Sequence, residues 1–281
     1  MKNLFIALIA AAVMTPAVGM AQRVSSRVHF EGERITGVTA SSAFDVVLVR
    51  SLQTKATVEI NSDMERYVRI SRSSDGVVSV GLHDVPNNMW RTFNRLTGRD
   101  KVMRLTLHLP ALATVRLSGA SDLRTEDTFS GESVDIQLSG ASEINGSLAL
   151  SAEKVKLQCS GASNADLTLD GTRELTVVAS GASDVKITAR SLDYSKFGAS
   201  GASDVTIEGT GGTGDWTASG ASEIHADRFA ARDVSIVVSG ASSARVNASG
   251  TLTTRTGGAS SVRYVGRPGR LNNTSEDVRP L

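Results

Sequence analysis

The sequence has very few of the residues that most often carry chemistry. Its single cysteine, Cys159, has no partner for an intramolecular disulfide. The four histidines, His29, His83, His108 and His225, are scattered and match no metal-ligand spacing. The many serines have no repeated histidine partner, so a nucleophilic triad would lack its base. We therefore predict no catalytic residue, no metal site and no cofactor.

A net charge of one sign is absent as well, because 30 basic residues face 29 acidic ones. Proteins that bind nucleic acid need a basic face, so this balance argues against nucleic acid as a partner. The charges are nevertheless distributed unevenly. Residues 23–110 carry 13 basic and 9 acidic residues, a net of +4, whereas residues 111–281 carry 16 and 20, a net of −4. This asymmetry indicates two regions.

Long apolar runs are missing after the N-terminus. The opening MKNLFIALIAAAVMTPAVGMAQ has one lysine, an apolar run over residues 4–13 and small residues up to Ala21, which is typical of a secretory signal peptide. The run is too short to span a bilayer, so we predict no transmembrane segment. We expect residues 1–21 to be removed and the mature protein to be exported.

What the sequence has in excess is one tetrapeptide of small residues, SGAS, with a final variant GGAS; we call each copy a word. The eight copies begin 18 to 21 residues apart, at positions 118, 139, 160, 180, 200, 219, 239 and 257. Self-similarity at such a period is the signature of stacked repeats. Apolar residues alternate with polar ones before each word, as at Val155, Leu157 and Cys159, and again after it, as at Val185 and Ile187. This period of two predicts strand, corner, strand and turn in each repeat, and thus a β-solenoid.

We interpret the word as a structural corner, because like positions stack about 4.8 Å apart in a solenoid. Glycine permits a positive-φ backbone at a corner, and serine can bond local backbone groups. The corner glycines are Gly119, Gly140, Gly161, Gly181, Gly201, Gly220, Gly240 and Gly258. From these patterns we expect an N-terminal β region over 22–110 that opens and caps the solenoid, the repeat solenoid over 111–265, and a polar tail or cap over 266–281.

The residue that follows each word is often acidic, which predicts a row of stacked carboxylates. Its members are Asp122, Glu143, Asp184, Asp204 and Glu223, with Asn164 interrupting them. The row is explained either by turn hydrogen bonds that leave each carboxylate solvated, or by divalent cations bound along it. The calcium-binding nonapeptide pattern of other solenoids is absent.

One segment differs from the rest, HDVPNNMWRTFNRLTGRDK at residues 83–101. Trp90 and Phe93 lie among Arg91 and Arg95, and exposed clusters of aromatic residues and arginine are typical of binding hot spots. The segment is either a loop whose aromatic side chains fold back onto the opening sheet or a projecting contact loop.

The ordered set of motifs resembles the head GIN domain family of autotransporter adhesins. The motifs are ASSAFDVVLV, LHLPALATVRLSGASDL, the repeated SGASDV or SGASEI, and SSVRYVGRPGRL, which together cover about Ile35 to Leu271. The resemblance implies a right-handed parallel β-helix, exported by a Gram-negative bacterium to the periplasm or cell surface. By name it also implies adhesion.

We therefore expect an all-β protein, a right-handed parallel β-helix with coils of about 20 residues, that acts as an exported, non-enzymatic binding module. Its expected partner is a surface glycan or an envelope protein. Two alternatives remain: a passive envelope scaffold that self-associates as a homo-oligomer through its coil ends, and a polysaccharide-active β-helix enzyme. Such enzymes need a cleft walled by long loops, and coils of 18 to 21 residues leave little room for one.

Overall fold

The computed structural model describes residues 24–96, 101–273 and 277–281. In this part of the chain, strands dominate. The elements that precede the first SGAS word are β1 (Val24–His29), β2 (Gly37–Ala40), β3 (Asp45–Arg50), β4 (Lys55–Asn61), a 3₁₀ helix (Ser62–Tyr67), β5 (Val68–Arg72), β6 (Val77–Leu82), α1 (Asn87–Asn94), β7 (Met103–Leu109) and β8 (Thr114–Leu117).

The strands of the repeats follow the words in order. They are β9 (Asp122–Arg124), β10 (Thr128–Leu138), β11 (Glu143–Ile144), β12 (Leu148–Cys159), β13 (Asn164–Leu169), β14 (Glu174–Ala179), β15 (Asp184–Ala199), β16 (Asp204–Ala218), β17 (Glu223–Gly240), β18 (Ser243–Ala248), β19 (Thr251–Gly258), β20 (Ser261–Val265), β21 (Arg270–Asn273) and β22 (Val278–Pro280). The longest of them, β15 to β17, continue through the turn that joins one word to the next.

Each coil pairs in parallel with the coils before and after it, so the chain is an all-β solenoid, as predicted. The strands that precede the words form one sheet, in which Val177 lies opposite Leu157 and Phe197. The strands that follow the words form another, in which Ile187 lies opposite Leu167. We call these sheets the first face and the second face.

The interior lies between the two faces and is filled by the alternating apolar residues of both. In the interior, Phe197 stacks on Trp216 with ring centroids 5.3 Å apart, and the ring centroid of Phe229 on the next coil lies 6.3 Å from that of Trp216. Glycines make the space for these rings. An ideal Cβ on Gly214 would lie 2.6 Å from Cε2 of Trp216, and one on Gly211 would overlap the ring of Phe229. The glycine-rich turn over 209–214 is thus an adaptation to aromatic packing.

The stack begins within the segment 22–110, earlier than the first SGAS word. Strands β2 and β3 pair in parallel with β8 and β9, and the Ser118 N–H donates to the Ala40 carbonyl across the corner between them. Ser42 occupies the position of the corner glycine and has a φ of 81°. The first coil therefore has the same path as the others, with serine in the left-handed conformation.

The N-terminal end of the stack is closed by antiparallel strands. On the second face β7 pairs with β4, and β4 pairs with β1; on the first face β6 pairs with β5. The parallel pairing thus stops at this end. At the C-terminal end, β21 and β22 pair in parallel with β19 and β20, so residues 270–273 and 278–280 continue the two faces.

Candidate functional site: the outer side of the second face

The eight corner glycines lie where one face turns into the other. Their φ angles are between 75° and 81°, in the left-handed region that favours glycine. The stack also leaves no room for a side chain: an ideal Cβ on Gly201 would lie 2.6 Å from the Gly181 carbonyl oxygen of the preceding coil. That oxygen accepts a hydrogen bond of 2.8 Å from the N–H of Ala202. These contacts assign the glycines to the architecture.

The last serine of each word is buried and structural. Ser183 Oγ donates to the Ser180 carbonyl at 2.9 Å, and Ser203 Oγ donates to the Ser200 carbonyl at 2.9 Å. The eight serines at this position are at most 3% exposed: Ser121, Ser142, Ser163, Ser183, Ser203, Ser222, Ser242 and Ser260. Hydroxyls held in this way close the corner and face away from solvent.

The residues that follow the words form a continuous row along the outer side of the second face. The register pairs Asp122 with Glu143, Asp184 with Asp204, and Asp204 with Glu223. Asn164 lies between Glu143 and Asp184. We call this set the acidic row.

Asp45 of the first coil extends the row by one position, because it pairs with Asp122. Its carboxylate also forms ion pairs with Arg104 at 3.2 Å and Arg124 at 3.3 Å. Sequence analysis missed Asp45 because its coil lacks an SGAS word. The alternating pattern of FDVVLV, which follows Ala43, was the available signal.

Burial and the crowding of like charge perturb the pKa values of two carboxylates in the acidic row. Burial and then the neighbouring carboxylates of Asp184 and Glu223 raise the pKa of Asp204 above its usual value. Burial and then Glu143 raise the pKa of Asp122 in the same way. The row therefore has a negative potential that a cation or a hydrogen-bond donor would relieve.

A shallow groove of about 560 Å³ runs beside the acidic row. Its lining includes the carboxylates of Asp184 and Asp204, the amide of Asn164, the ammonium of Lys186 and the imidazole of His225. His225 Nε2 lies 3.0 Å from Oε2 of Glu223. Among the described residues, no group of three or more histidine, cysteine, aspartate or glutamate side chains is arranged to hold a metal ion. The groove offers hydrogen-bond donors and acceptors of both charge signs.

The predicted contact loop is an α-helix, so the expectation of a loop was wrong. In α1 the Phe93 side chain is 3% exposed and packs into the core, which removes it from any contact surface. Trp90 is half-buried and stacks on Phe93 with ring centroids 5.9 Å apart. Arg91 and Arg95 are exposed. The aromatic side chains therefore fold back, and residues 97–100 of this segment lie outside the described residues.

A family model described as "Putative auto-transporter adhesin, head GIN domain" matches residues 34–196 and residues 164–268. The two matches together span most of the chain. The chain belongs to this family. No curated protein matches it.

Several solved structures share this head GIN fold, and two of them carry adhesin names. A "putative adhesin" from Parabacteroides distasonis ATCC 8503 has a TM-score of 0.60 and 18% identity, over 92% of this chain and 97% of that chain. A "putative adhesin" from Parabacteroides merdae ATCC 43184 has a TM-score of 0.56 and 13% identity, over 92% and 96%. A "Putative lipid binding protein" from Parabacteroides distasonis ATCC 8503 has a TM-score of 0.58 and 15% identity, over 92% and 96%. These likenesses establish the fold.

This head GIN chain also has a larger groove of about 720 Å³ at its N-terminal end. Strands β4 and β5 and helix α1 supply its apolar lining: Val58, Ile60, Val68, Ile70 and Met89. Polar residues surround this lining, and among them Arg27 forms an ion pair with Glu65. Within the described ranges, no helix is both long and apolar enough to cross a bilayer.

Proposed function

We propose that this protein is an exported, non-enzymatic binding module that contacts surface glycans or envelope proteins through the outer side of its second face. The carrying observation is the in-register stacking of polar side chains, which repeats one set of contacts from coil to coil. Solenoids use such extended surfaces for binding. The adhesin names of the family and of its structural relatives support the same proposal.

The state of the hydroxyls argues against the enzyme alternative. The buried serines of the words donate to backbone carbonyls, and His225 contacts Glu223 rather than a hydroxyl. Neither arrangement provides the paired nucleophile and base that covalent catalysis by a serine requires. Coils of 18 to 21 residues also leave little room for a wall beside the groove.

The coil ends argue against the scaffold alternative. Stacking of molecules end to end would require free parallel edges, and the N-terminal end is closed by antiparallel β1 and β5. At the C-terminal end, Pro280 in β22 lacks the N–H that a further strand would need. Parallel stacking is therefore disfavoured at the N-terminal end and, on the second face, at the C-terminal end, whereas β21 on the first face has no proline and pairs only with β19 among the described strands.

The proposal is tested by binding the mature chain to an array of surface glycans and to isolated envelope proteins, with calcium and with a chelator. We expect binding that the double variant Asp184→Asn/Asp204→Asn abolishes. A matched control, Glu132→Gln/Asp170→Asn, removes two exposed carboxylates outside the acidic row and should bind normally. Equal binding by both variants would reject the acidic row as the contact surface, and an absence of binding to every probe would reject the proposed function. Loss in the chelator alone would assign the row to cations.

Export is part of the proposal, because the expected signal peptide over 1–21 lies outside the described residues. Cell fractionation should place the mature chain in the periplasm or at the cell surface, with a new N-terminus after Ala21. Protease treatment of intact cells distinguishes the two compartments. A full-length chain in the cytoplasm would contradict export.

A second candidate function is the binding of an acyl chain in the N-terminal groove. Its size and its five apolar side chains favour this candidate, and one structural relative is named for lipid binding. A fluorescent fatty acid should bind the mature chain and be displaced by unlabelled palmitate. Ile70→Trp, which fills the groove, should abolish binding, whereas Val237→Trp on the outer side of the first face should not. Identical titrations for both variants would reject the groove.

A further inference from the structure

The second face carries another stacked row, two residues beyond the acidic one. The register pairs Arg245 with Arg263, and Arg263 with Arg279, so three arginines stand on successive coils. All three side chains are exposed. His225 precedes them in the same register, opposite Arg245. We call Arg245, Arg263 and Arg279 the arginine row.

The charge of the second face reverses where this row begins. The acidic row ends at Glu223, and the next two coils have Ser243 and Ser261 in its place. From Ser243 to Leu281 the sequence has six arginines and no lysine, against two acidic residues. On the second face itself, Arg245, Arg263 and Arg279 stand against one carboxylate, Asp277, which follows Ser261 in the register of the acidic row. This end of the face is therefore basic, although the chain as a whole is nearly neutral.

Part of the positive charge of the arginine row is not balanced by carboxylates on neighbouring coils. Arg245 and Arg263 form no ion pair with any described carboxylate, whereas Arg228 nearby is held by Glu208 at 2.7 Å. Guanidinium groups about 4.8 Å apart repel one another, so their stacking favours a ligand that brings a series of anions. Arginine presents a planar fork that matches carboxylate, sulfate and phosphate groups in two hydrogen bonds.

The neighbours of the row add donors for a sugar chain. Ser243 and Ser261 are half-exposed, lie two residues before Arg245 and Arg263, and therefore share their side of the strand. Their hydroxyls can donate to or accept from sugar hydroxyls. Tyr264, which follows Arg263, is partly buried against the core, so the row does not offer the aromatic platform that is the usual basis of single-strand binding. This chemistry favours a glycan over a nucleic acid.

We propose that the arginine row binds a linear anionic glycan, which lies along the solenoid axis with its acidic groups on successive arginines. The inference rests on the proposed function, because it names the class of partner for the same face. It assigns recognition of the anions to Arg245 and Arg263, with Arg279 extending the contact. The sulfate and carboxylate forms of such glycans share this chemistry.

The test measures binding of the mature chain to heparin, to polygalacturonate and to neutral dextran by titration calorimetry. We expect both anionic glycans to bind, the affinity to fall as salt rises, and dextran not to bind. Arg245→Gln/Arg263→Gln should weaken binding by at least about tenfold, since hydrogen bonds to charged groups are the strong ones. Arg263→Lys keeps the charge but loses the planar fork, so its affinity for the glycans should lie between that of the native chain and that of the double variant.

The matched control is Arg190→Gln/Arg255→Gln, which removes the same charge from two exposed arginines outside the row. It should change the affinity by less than about threefold, because only long-range charge is lost. An equal loss in both double variants would reduce the row to diffuse charge and overturn the proposal. A melting temperature equal to that of the native chain shows that each variant folds.

Two further outcomes overturn the inference and leave the proposed function separately testable. Failure of both anionic glycans to bind, with neutral glycans or envelope proteins still bound through the acidic row, would reject the arginine row alone. Competition by single-stranded DNA at the same concentration as heparin would replace the glycan with any flexible polyanion. Selective loss in the row variant, with weak competition by DNA, confirms the glycan.

Discussion

Alanine substitutions at three glycines of this solenoid can distinguish the cost of backbone strain from the cost of steric overlap. Gly201 has a φ of 79°, and its ideal Cβ would lie 2.6 Å from the Gly181 carbonyl oxygen. Gly146 has a φ of 81°, with nothing within 4 Å of its ideal Cβ. Gly198 lies in β15 without a positive φ and also has nothing within 4 Å. Alanine at position 201 therefore meets backbone strain and steric overlap, alanine at position 146 meets backbone strain alone, and alanine at position 198 meets neither.

The expected magnitudes follow from these differences. Gly198→Ala should stabilise the protein by about 0.5–1 kcal/mol, because glycine weakens a strand interior by that amount. Gly146→Ala should cost about 1–2 kcal/mol, the penalty of a left-handed backbone for an L-residue. Gly201→Ala pays the same penalty and adds an overlap with backbone that cannot rotate away, about 1–3 kcal/mol more. Its total cost is thus about 2–5 kcal/mol.

The assay is equilibrium unfolding in urea, followed by far-ultraviolet circular dichroism and by tryptophan fluorescence. Coincidence of the two curves is required before a free energy of unfolding is derived for a repeat protein. The order of stability should be Gly198→Ala, the native chain, Gly146→Ala and Gly201→Ala. If Gly146→Ala and Gly201→Ala differed by less than about 0.5 kcal/mol, the carbonyl contact between coils would not be what excludes a side chain.

The pKa of Asp204 is raised in the folded state, so folding favours the protonated carboxyl. This contribution to the free energy of unfolding is fully present below the unfolded pKa and is lost as pH rises through the folded pKa, which leaves a carboxylate that is unfavourable in the folded state at neutral pH. Asp204→Asn should therefore raise the melting temperature at neutral pH, with a gain that shrinks on acidification; a gain that is constant with pH would contradict the repulsion. Trp216 Nε1 donates to Ser195 Oγ at 3.1 Å in the interior, so Ser195→Ala should cost about 1–3 kcal/mol in urea unfolding. An equal cost of Ser195→Ala in the native chain and in a Trp216→Phe background would show that this hydrogen bond contributes nothing to stability. Burial raises the pKa of Cys159 to about 12, so a thiol reagent should label it only after unfolding, and rapid labelling of the native chain would contradict the packing.

The repeat region is predictable from sequence because its two rules are strict. Alternation with a period of two decides which side chains are interior, and Leu157, Val177 and Ile187 all follow it. The corner requires a left-handed residue, which glycine meets at lower cost than any other, so the word is repeated almost unchanged. The register of the acidic row follows from these two rules alone.

The first coil was missed because it satisfies the same geometry with different residues. Ser42 takes the left-handed position in place of glycine, and Phe44 fills the place of the buried serine. The backbone N–H of Phe44 donates to Ser121 Oγ on the next coil at 3.3 Å, which retains the cross-coil bond. A search for the word cannot find a corner in which both the glycine and the last serine have been replaced, although Ser41 and Ala43 match the other two positions.

Helix α1 and the arginine row were missed for other reasons. Met89, Trp90 and Phe93 have the spacing of one helical face, but the segment is short and was interpreted as a loop. The arginines become a row only when the residues two places beyond the acidic position are aligned as well. Arg245 and Arg263 then share one column, and the strand register confirms that they are neighbours in space.

Contact between coils is made almost entirely by like positions, so a whole coil is an exchangeable unit. Loss or duplication of about twenty residues between two words would preserve every corner and would shorten or lengthen the outer surface by one step. The interior sets one restriction. Phe229 occupies space left by Gly211 on the preceding coil, so those two coils must be gained or lost together. The length of the outer surface and the side chains that it presents can therefore change independently, except at the two coils that Gly211 and Phe229 link.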